Sequence, residues 1–248
     1  MSVVLTACHL GPTPYREGLA LQEALVRQRA AGHGSTPGDW LLFPDHPPVL
    51  TMGRGGSAAS LRVERGALGP LGLELVEVQR GGDVTWHGPG QLVGYPIVDL
   101  RRRGSDLHAF LRDLESVLIR VLERWGVRPR RVPGRTGVWV GEEKIASIGI
   151  AVRGHVSYHG FALNVAPDLG FFELIHPCGL RGIHMTSVAA LLGSRAPSLG
   201  AVRREVAAEF GRWLGYDEVR WAAAREVRRV AGGEGASPAR VPASHHVA

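Results

Sequence analysis

Apolar and polar residues recur with two different periods along this chain, and the clearest helical period lies at 105–125. Leucine, valine and phenylalanine recur there every three or four residues, which places them on one face of a helix. Ser105 is a suitable N-cap for that helix, and Gly126 is a suitable end. Weaker versions of the pattern predict three further helices, at 15–31, 199–214 and 217–230.

Short apolar or alternating runs bounded by glycine and proline predict strands in the first two thirds of the chain. They lie at 2–8, 40–43, 48–53, 71–80 and 157–165, with a hairpin over 136–154 that turns near Gly141–Glu142. Helices do not alternate strictly with these strands, so we expect an α+β fold, a mixed α/β sheet with flanking helices. No linker divides 1–230, which we expect to form one domain. The residues at 231–248 are small, polar and rich in proline and glycine, and we expect them to form a disordered tail.

The composition limits the class of protein. The chain has 248 residues, 44% of them hydrophobic, which suffices for a substantial core, and its two cysteines cannot form a disulfide framework. We find neither signal-peptide features nor a run of about 18 apolar residues, so we expect a cytoplasmic protein without a membrane span. The net charge is +6, but the basic residues are scattered apart from the run at 101–103. We therefore expect no nucleic-acid partner, whereas an acidic protein partner fits this charge.

A single lysine stands among the basic residues, because all of the 29 basic side chains except Lys144 are arginine. Lysine can lose its proton when buried and act as a base, whereas arginine cannot. A chance survivor of a bias toward arginine is the alternative. In a regular strand Lys144 shares a face with Ala146, Ile148 and Ile150. It is then either paired within an apolar site or located at the strand start, with its ammonium reaching water.

A glycine-rich segment, RGGDVTWHGPG at 80–90, surrounds an arginine, an aspartate, a tryptophan and a histidine. Paired glycines let the backbone approach a ligand closely, although a glycine-rich hairpin turn is the alternative. The residues at 53–58 match a G-x-G-x-x-A dinucleotide template weakly, because no convincing helix follows them. No Walker A motif occurs, and we expect no cofactor.

Two cysteines receive different interpretations. Cys8 lies in a predicted apolar strand, where a buried, inert thiol is usual. Cys178 lies in HPCGL, between a proline that restricts the backbone and a glycine that permits a turn. Such a turn can present a thiol to a pocket, although a buried residue is again the alternative. No second cluster of cysteine or histidine has zinc-site spacing, so we expect no metal.

Four segments in one order carry a family resemblance: RGGDVTWHGPGQLVGYPI, GVWVGEEKIASIGI, HGFALNV and HPCGL. Together with DHPPVLTMGRGG at 45–56, they resemble the lipoyl(octanoyl) transferase family, often called lipoate-protein ligase B. The resemblance covers about residues 3–215. It implies a fold like the catalytic domain of biotin and lipoate protein ligases.

The resemblance also implies an activity. The family transfers an octanoyl group from octanoyl-acyl carrier protein to a specific lysine of lipoyl domains, without ATP. These domains belong to the E2 subunits of 2-oxoacid dehydrogenases and to the glycine cleavage H protein. We expect a monomer. An ATP-dependent lipoate or biotin ligase, an amidotransferase between lipoyl domains, a cysteine hydrolase and a non-catalytic binding module remain as rivals.

The family's functional residues fall on matching positions of this chain. The resemblance implies a catalytic dyad of Cys178 and Lys144, in which an ammonium beside the thiol favours the reactive thiolate. Cys178 would hold the octanoyl group as a thioester, and Lys144 would take a proton from the acceptor lysine. The implied substrate-binding residues are Arg80, Gly81, Gly82, Asp83, Val84, Thr85, Trp86, His87, Ser147, Ile148, Gly149, Gly160, Phe161 and Ala162.

Overall fold

The protein is described by a computed structural model that covers residues 3–31, 38–176 and 182–232. Its strands are β1 (Val4–Pro12), β2 (Asp39–Asp45), β3 (Val49–Met52), β4 (Glu74–Glu77), β5 (Val84–His87), β6 (Gln91–Ile97), β7 (Arg130–Val132), β8 (Arg135–Val140), β9 (Glu143–Arg153), β10 (Val156–Asn164) and β11 (Glu218–Ala222). Its α-helices are α1 (Tyr15–Ala30), α2 (Leu107–Arg124), α3 (Val188–Leu192), α4 (Leu199–Trp213) and α5 (Ala224–Gly232).

The strands form two sheets. Eight of them lie in the order β11-β1-β2-β6-β10-β9-β8-β7, with β1 parallel to both of its neighbours. The others form a small sheet, β4-β3-β5. Helices α2 and α4 belong to one hydrophobic cluster against the large sheet, whereas α1 and α5 belong to a second cluster. The expected α+β fold, with a mixed sheet and flanking helices, is confirmed.

The start of α2 differs from the prediction. Asp106, rather than Ser105, is the N-cap, and its carboxylate accepts the N–H of Ala109 at 2.9 Å. Ser105 has a φ of 57°, in the left-handed region, so it belongs to the turn before the helix. The apolar period located the helix correctly, but two adjacent capping residues could not be ranked from the sequence.

The predicted helix at 217–230 is wrong in its first half. Glu218–Ala222 forms β11, which pairs in parallel with β1 from Val4 to Cys8, and only Ala224–Gly232 is helical. The segment alternates charged with apolar residues, and the free edge of β1 supplies backbone partners for it. A tertiary contact therefore overrides the local helical preference of this segment.

The glycine-rich segment at 80–90 does not form a hairpin. β5 pairs with β3 in the small sheet, whereas β6 pairs with β2 and β10 in the large sheet. The turn between β5 and β6 therefore joins the two sheets. Within the described residues, no helix has the length and apolar character needed to cross a membrane.

Candidate active site

A cavity of about 430 Å³ is lined by residues from both sheets and from the first turns of α2. This volume is typical of a small-molecule site. The sequence-predicted residues that line the cavity are Arg80, Gly81, Gly82, Asp83, Val84, Thr85, His87, Lys144, Ser147, Ile148, Gly149, Gly160, Phe161 and Ala162. The fold thus brings three separate stretches of the chain around one space.

Glycines let the loop at 80–83 lie tightly between its neighbours. A Cβ atom on Gly53 would lie 2.5 Å from the carbonyl oxygen of Gly82, closer than side chains approach. On the other side, the N–H of Gly81 donates to the carbonyl of Ile150 at 3.1 Å. A Cβ atom on Gly149 would lie 2.8 Å from the Gly81 carbonyl oxygen. These glycines permit backbone contact across the loop.

The close packing of the loop at 80–83 also explains the weak match to a dinucleotide template at 53–58. Gly53 lies against the loop at 80–83, and the segment continues into a single 3-10 turn, Ala58–Ser60, rather than a helix. A dinucleotide site needs a helix whose N-terminal N–H groups bind the phosphates. The template match therefore reflects loop packing.

The Arg80 side chain is buried in the cavity wall, at 8% exposure. One terminal nitrogen donates to the carbonyl oxygen and the hydroxyl of Thr51, at 2.7 and 2.9 Å. The other donates to the carbonyl of Gly81 at 3.1 Å. Backbone and hydroxyl acceptors thus hold a permanent positive charge beside the cavity.

The Arg80 charge acts on four buried aromatic residues, namely Tyr15, His87, Tyr95 and His159. His46 is also buried and packs against Tyr15 and Tyr95. Burial lowers the pKa of His46 to about 4 and the pKa values of His87 and His159 to about 3, so all three are neutral at pH 7. The Arg80 charge adds to this lowering for His87 and His159. Burial raises the pKa of Tyr15 to about 12, so its phenol stays protonated.

His87 starts a chain of hydrogen bonds that ends at the backbone of Lys144. Its Nδ1 donates to Gln91 Oε1 at 2.8 Å, and Gln91 Nε2 donates to Asn164 Oδ1 at 3.0 Å. Asn164 Nδ2 donates to the carbonyl of Thr186, whose N–H donates to the carbonyl of Lys144, both at 3.0 Å. His87 and the backbone of Lys144 are therefore connected by a continuous chain of hydrogen bonds.

Lys144 is 2% exposed, so the alternative in which its ammonium reaches water is wrong. Its N–H donates to the carbonyl of His184 at 2.9 Å. Its Nζ lies 5.5 Å from the centre of the Trp139 ring, within the range of a cation–π interaction. A buried lysine is costly unless its surroundings stabilise it, so Lys144 is a candidate for the chemistry of this cavity.

Cys178 lies outside the described residues, but the residues on both sides of its segment are described. Before it, the N–H of His176 donates to the carbonyl of Ser60 at 2.8 Å. After it, His184 and Thr186 are bonded to the backbone of Lys144. The chain that carries Cys178 therefore rejoins the described structure at the catalytic lysine candidate.

Cys8 is buried in β1, as its sequence context predicts. Burial raises the pKa of its thiol to about 11, and the charge of Glu226 acts in the same direction. A thiol with so high a pKa is almost entirely protonated at pH 7 and reacts poorly. Cys8 therefore serves as an internal reference for an unreactive cysteine.

Trp86 is the one predicted substrate-binding residue that does not line the cavity. Its ring stacks on Phe171 at 5.0 Å and meets Phe172 edge-on at 5.6 Å. Side chains alternate along β5, so Trp86 faces away from Thr85 and His87, which line the cavity. Val84, at the start of the strand, borders both the cavity and the Trp86 cluster. The place of Trp86 is in the core of the small sheet.

Several lining residues were not assigned to the site from the sequence: Tyr15, Tyr95, Leu107, Leu111, Trp139 and His159. Tyr95, Trp139 and His159 lie inside the segments that carry the resemblance, which was a usable signal. Leu107 and Leu111 belong to the apolar face of α2, where a lining residue and a core residue have the same pattern. No group of three or more metal-binding side chains occurs within 3–31, 38–176 and 182–232.

Comparison with known proteins places this fold and cavity in context. Residues 14–211 match the model of the lipoyl protein ligase A/B catalytic domain. An octanoyltransferase from Geobacter metallireducens is 51% identical over 201 residues, covering 81% of this chain and 89% of the relative. One from Rubrobacter xylanophilus is 48% identical over 207 residues, covering 83% of this chain and 91% of the relative.

Solved structures show the same fold. A putative lipoate protein ligase from T. acidophilum with bound lipoic acid has a TM-score of 0.71 at 20% identity, covering 93% of both chains. A lipoate-protein ligase A bound with ATP has a TM-score of 0.71 at 20% identity, covering 91% of this chain and 92% of the other. The matched model spans most of the described residues, and the relatives exceed 40% identity. The chain therefore belongs to the lipoyl protein ligase A/B catalytic-domain family.

Proposed function

We propose that this protein transfers an octanoyl group from octanoyl-acyl carrier protein to a specific lysine of lipoyl domains, through a thioester on Cys178. The acceptors are the lipoyl domains of 2-oxoacid dehydrogenase E2 subunits and the glycine cleavage H protein. The reaction is the first step of endogenous protein lipoylation and needs no ATP. We place it in the cytoplasm and expect a monomer. Relatives named octanoyltransferase, at 51% and 48% identity over most of the chain, support this assignment.

The observation that carries the mechanism is the position of Lys144. It is buried against the cavity, and its backbone is bonded to residues that follow Cys178 by six and eight positions. Six residues span at most about 20 Å even when fully extended. Cys178 is therefore within chain reach of Lys144, which the proposed dyad requires.

The acylation step follows from such a pair. The lysine ammonium stabilises the Cys178 thiolate, which attacks the carbonyl carbon of the octanoyl thioester. A carbon–sulfur bond forms to Cys178, and the bond to the carrier sulfur breaks. The carrier leaves as a thiol after taking a proton from Lys144, whose amine is then neutral.

The transfer step restores the starting state. The acceptor lysine releases one proton to solvent and attacks the Cys178 thioester as a neutral amine. The new carbon–nitrogen bond forms, the second amine proton passes to Lys144, and Cys178 leaves as a thiolate. An arginine could supply the charge at 144 but could not accept this proton. That difference explains why one lysine persists in an arginine-rich chain.

The cavity suits a medium acyl chain. Leu107, Leu111, Ile148 and Phe161 give it apolar surface beside Lys144. Each buried CH₂ contributes roughly 0.8 kcal/mol, so two missing methylenes weaken binding about tenfold. An octanoyl donor should therefore be favoured over a hexanoyl donor by about this factor.

A transfer assay tests the proposal. Purified protein is mixed with octanoyl-carrier protein and an isolated lipoyl domain, with no nucleotide, and the mass of the lipoyl domain is followed. We expect one octanoyl group to be added, at a rate that Cys8→Ser leaves unchanged and Cys178→Ser abolishes. Transfer that appears only with ATP and free octanoate would instead assign the protein to the ligases.

A further inference from the structure

A buried glutamate lies on the helix that packs beside the cavity. Glu115 of α2 is fully buried among the apolar residues of that helix. Its Oε2 accepts hydrogen bonds from Arg112 at 2.6 Å and from Arg131 at 3.0 Å. Burying a carboxylate is costly even when it is paired, so a buried ion pair alone is a poor reason for its presence.

The other oxygen of this carboxylate has a different partner. Glu115 Oε1 accepts the N–H of Gly137 in β8, at 2.9 Å, in a buried hydrogen bond. An ionised carboxylate can accept on both oxygens at once, as it does here. Glu115 thus ties the backbone of Gly137 to α2.

Gly137 in turn forms a wall for the lysine side chain. Its φ is 126°, a conformation that favours glycine. A Cβ atom there would lie 2.5 Å from Lys144 Cε and 3.1 Å from Nζ. The Gly137 backbone therefore touches the last atoms of the Lys144 side chain, and a shift of Gly137 would move the ammonium.

Trp139 completes this wall two residues further along β8. The pairing of β8 with β9 shifts register between Val138 and Trp139, so that Trp139 lies opposite Lys144. Such bulges re-aim side chains next to active sites. Gly137 and Trp139 thus both lie against the ammonium end of the Lys144 side chain.

We infer that Glu115 is a positioning residue for Lys144, acting through Gly137. The inference rests on the proposed function, because it assumes that the Lys144 ammonium acts on the Cys178 thiol. The carboxylate holds the β8 backbone at the distance that directs the ammonium toward the cavity. Arg112 and Arg131 hold the carboxylate in that position.

The test measures the reactivity of Cys178 in folded protein. Iodoacetamide alkylates the thiolate, so the dependence of its rate on pH reports the stabilisation of the thiolate. Alkylation is followed at each cysteine by peptide mass, and Cys8 serves as the unreactive reference. The variants are Glu115→Gln, Lys144→Met and Arg131→Gln. A control, Glu209→Gln, removes a buried carboxylate of α4 that bonds to Arg124 and Arg212.

In Glu115→Gln the shape is kept, but one amide cannot accept from Gly137 and from the arginines together, because it has only one oxygen. We expect the pH midpoint of Cys178 alkylation to rise by about half a unit or more, which is at least a threefold loss of thiolate near neutral pH. We expect Lys144→Met to give the largest rise. Glu209→Gln should leave the midpoint unchanged, although it lowers the thermal stability.

The outcomes separate this inference from the function on which it rests. If Lys144→Met raises the midpoint and Glu115→Gln does not, Glu115 only stabilises the fold and the inference is overturned. If neither changes it, Lys144 does not act on the thiol, and the proposed dyad fails. Should Glu115→Gln not fold, Arg131→Gln decides, with a smaller rise expected and an unchanged midpoint overturning the inference.

Discussion

Arg80 and Lys144 are two buried cations on one cavity, and the protein holds them in different ways. The Arg80 side chain donates hydrogen bonds to Thr51 and Gly81. Its loop packs closely against β9 because glycines lie at the contact. Lys144 lies at the start of β9, with Gly137 and Trp139 against its side chain. Arginine keeps its charge at any usable pH, whereas lysine can release its proton. In the proposed mechanism, Arg80 therefore supplies a constant positive charge, while Lys144 exchanges a proton.

The largest expected effect comes from giving Lys144 the chemistry of Arg80. Lys144→Arg keeps the charge but removes the base, so we expect transfer to the lipoyl domain to fall at least about 100-fold. Acylation of Cys178 should fall less, because it depends on the charge. Rapid-quench measurement of the two half-reactions checks this, and equal losses in both would remove the assignment of Lys144 as the base.

The reverse exchange should cost less. In Arg80→Lys a single ammonium replaces a guanidinium that bonds to Thr51 and Gly81 at once. We expect kcat/KM to fall about tenfold and the free energy of unfolding to fall by about 1 kcal/mol. Arg54→Lys, at an exposed position on the same cavity, is the matched control and should change neither. Steady-state kinetics and urea unfolding give both numbers. A larger loss than for Lys144→Arg would reverse the roles of the two cations.

A smaller effect is expected from moving the Arg80 loop without changing a charge. Gly149→Ala places a Cβ 2.8 Å from the Gly81 carbonyl oxygen and 3.2 Å from Arg80 Cδ. The loop must shift by several tenths of an ångström, so we expect roughly a fivefold rise in KM for the octanoyl donor. Gly66→Ala, where no atom lies within 4 Å, should be silent. Wild-type KM in Gly149→Ala would mean that the loop does not contact the donor.

The last prediction concerns the pH dependence of stability, which the neutral histidines beside Arg80 affect. The pKa of His159 is lowered from 6.5 to about 3 by burial and by Arg80. Below pH 6.5 His159 is protonated in the unfolded chain but stays neutral in the folded protein. The free energy of unfolding therefore falls as the pH drops from about 6.5 toward 3. This histidine should contribute a loss on the order of 1 kcal/mol per pH unit in that window. Unfolding of His159→Asn between pH 7 and 5 should show a shallower loss, because asparagine tolerates the left-handed φ of 57° without titrating.

The sequence predicted most of the scaffold because apolar periods report burial. Helices at 15–31 and 199–214 begin at the predicted residue and end one residue before the predicted end. The lone Lys144, which the composition distinguishes, is buried. Prediction failed where a distant partner decides the outcome. β11 forms because the edge of β1 is available, and the five-residue alternation at 218–222 is too short to predict that pairing.

The same limit applies to the site. The segment at 80–90 was identified as a unit, but the strand alternation that turns Trp86 away from the cavity depends on where β5 begins. The helical pattern did not predict the burial of Glu115, because charged residues usually occupy exposed positions. Its burial depends on Arg112, Arg131 and Gly137, which meet only in the folded protein.

The most direct test of the account is the intact mass of the protein after mixing with octanoyl-carrier protein, without nucleotide or lipoyl domain. Cys8→Ser, Cys178→Ser and Lys144→Arg are measured beside the wild type. The account predicts one octanoyl adduct that persists in Cys8→Ser, is absent in Cys178→Ser, is removed by hydroxylamine, and passes to an added lipoyl domain from the wild type far faster than from Lys144→Arg. An adduct that persists in Cys178→Ser, or no adduct in the wild type, would contradict it.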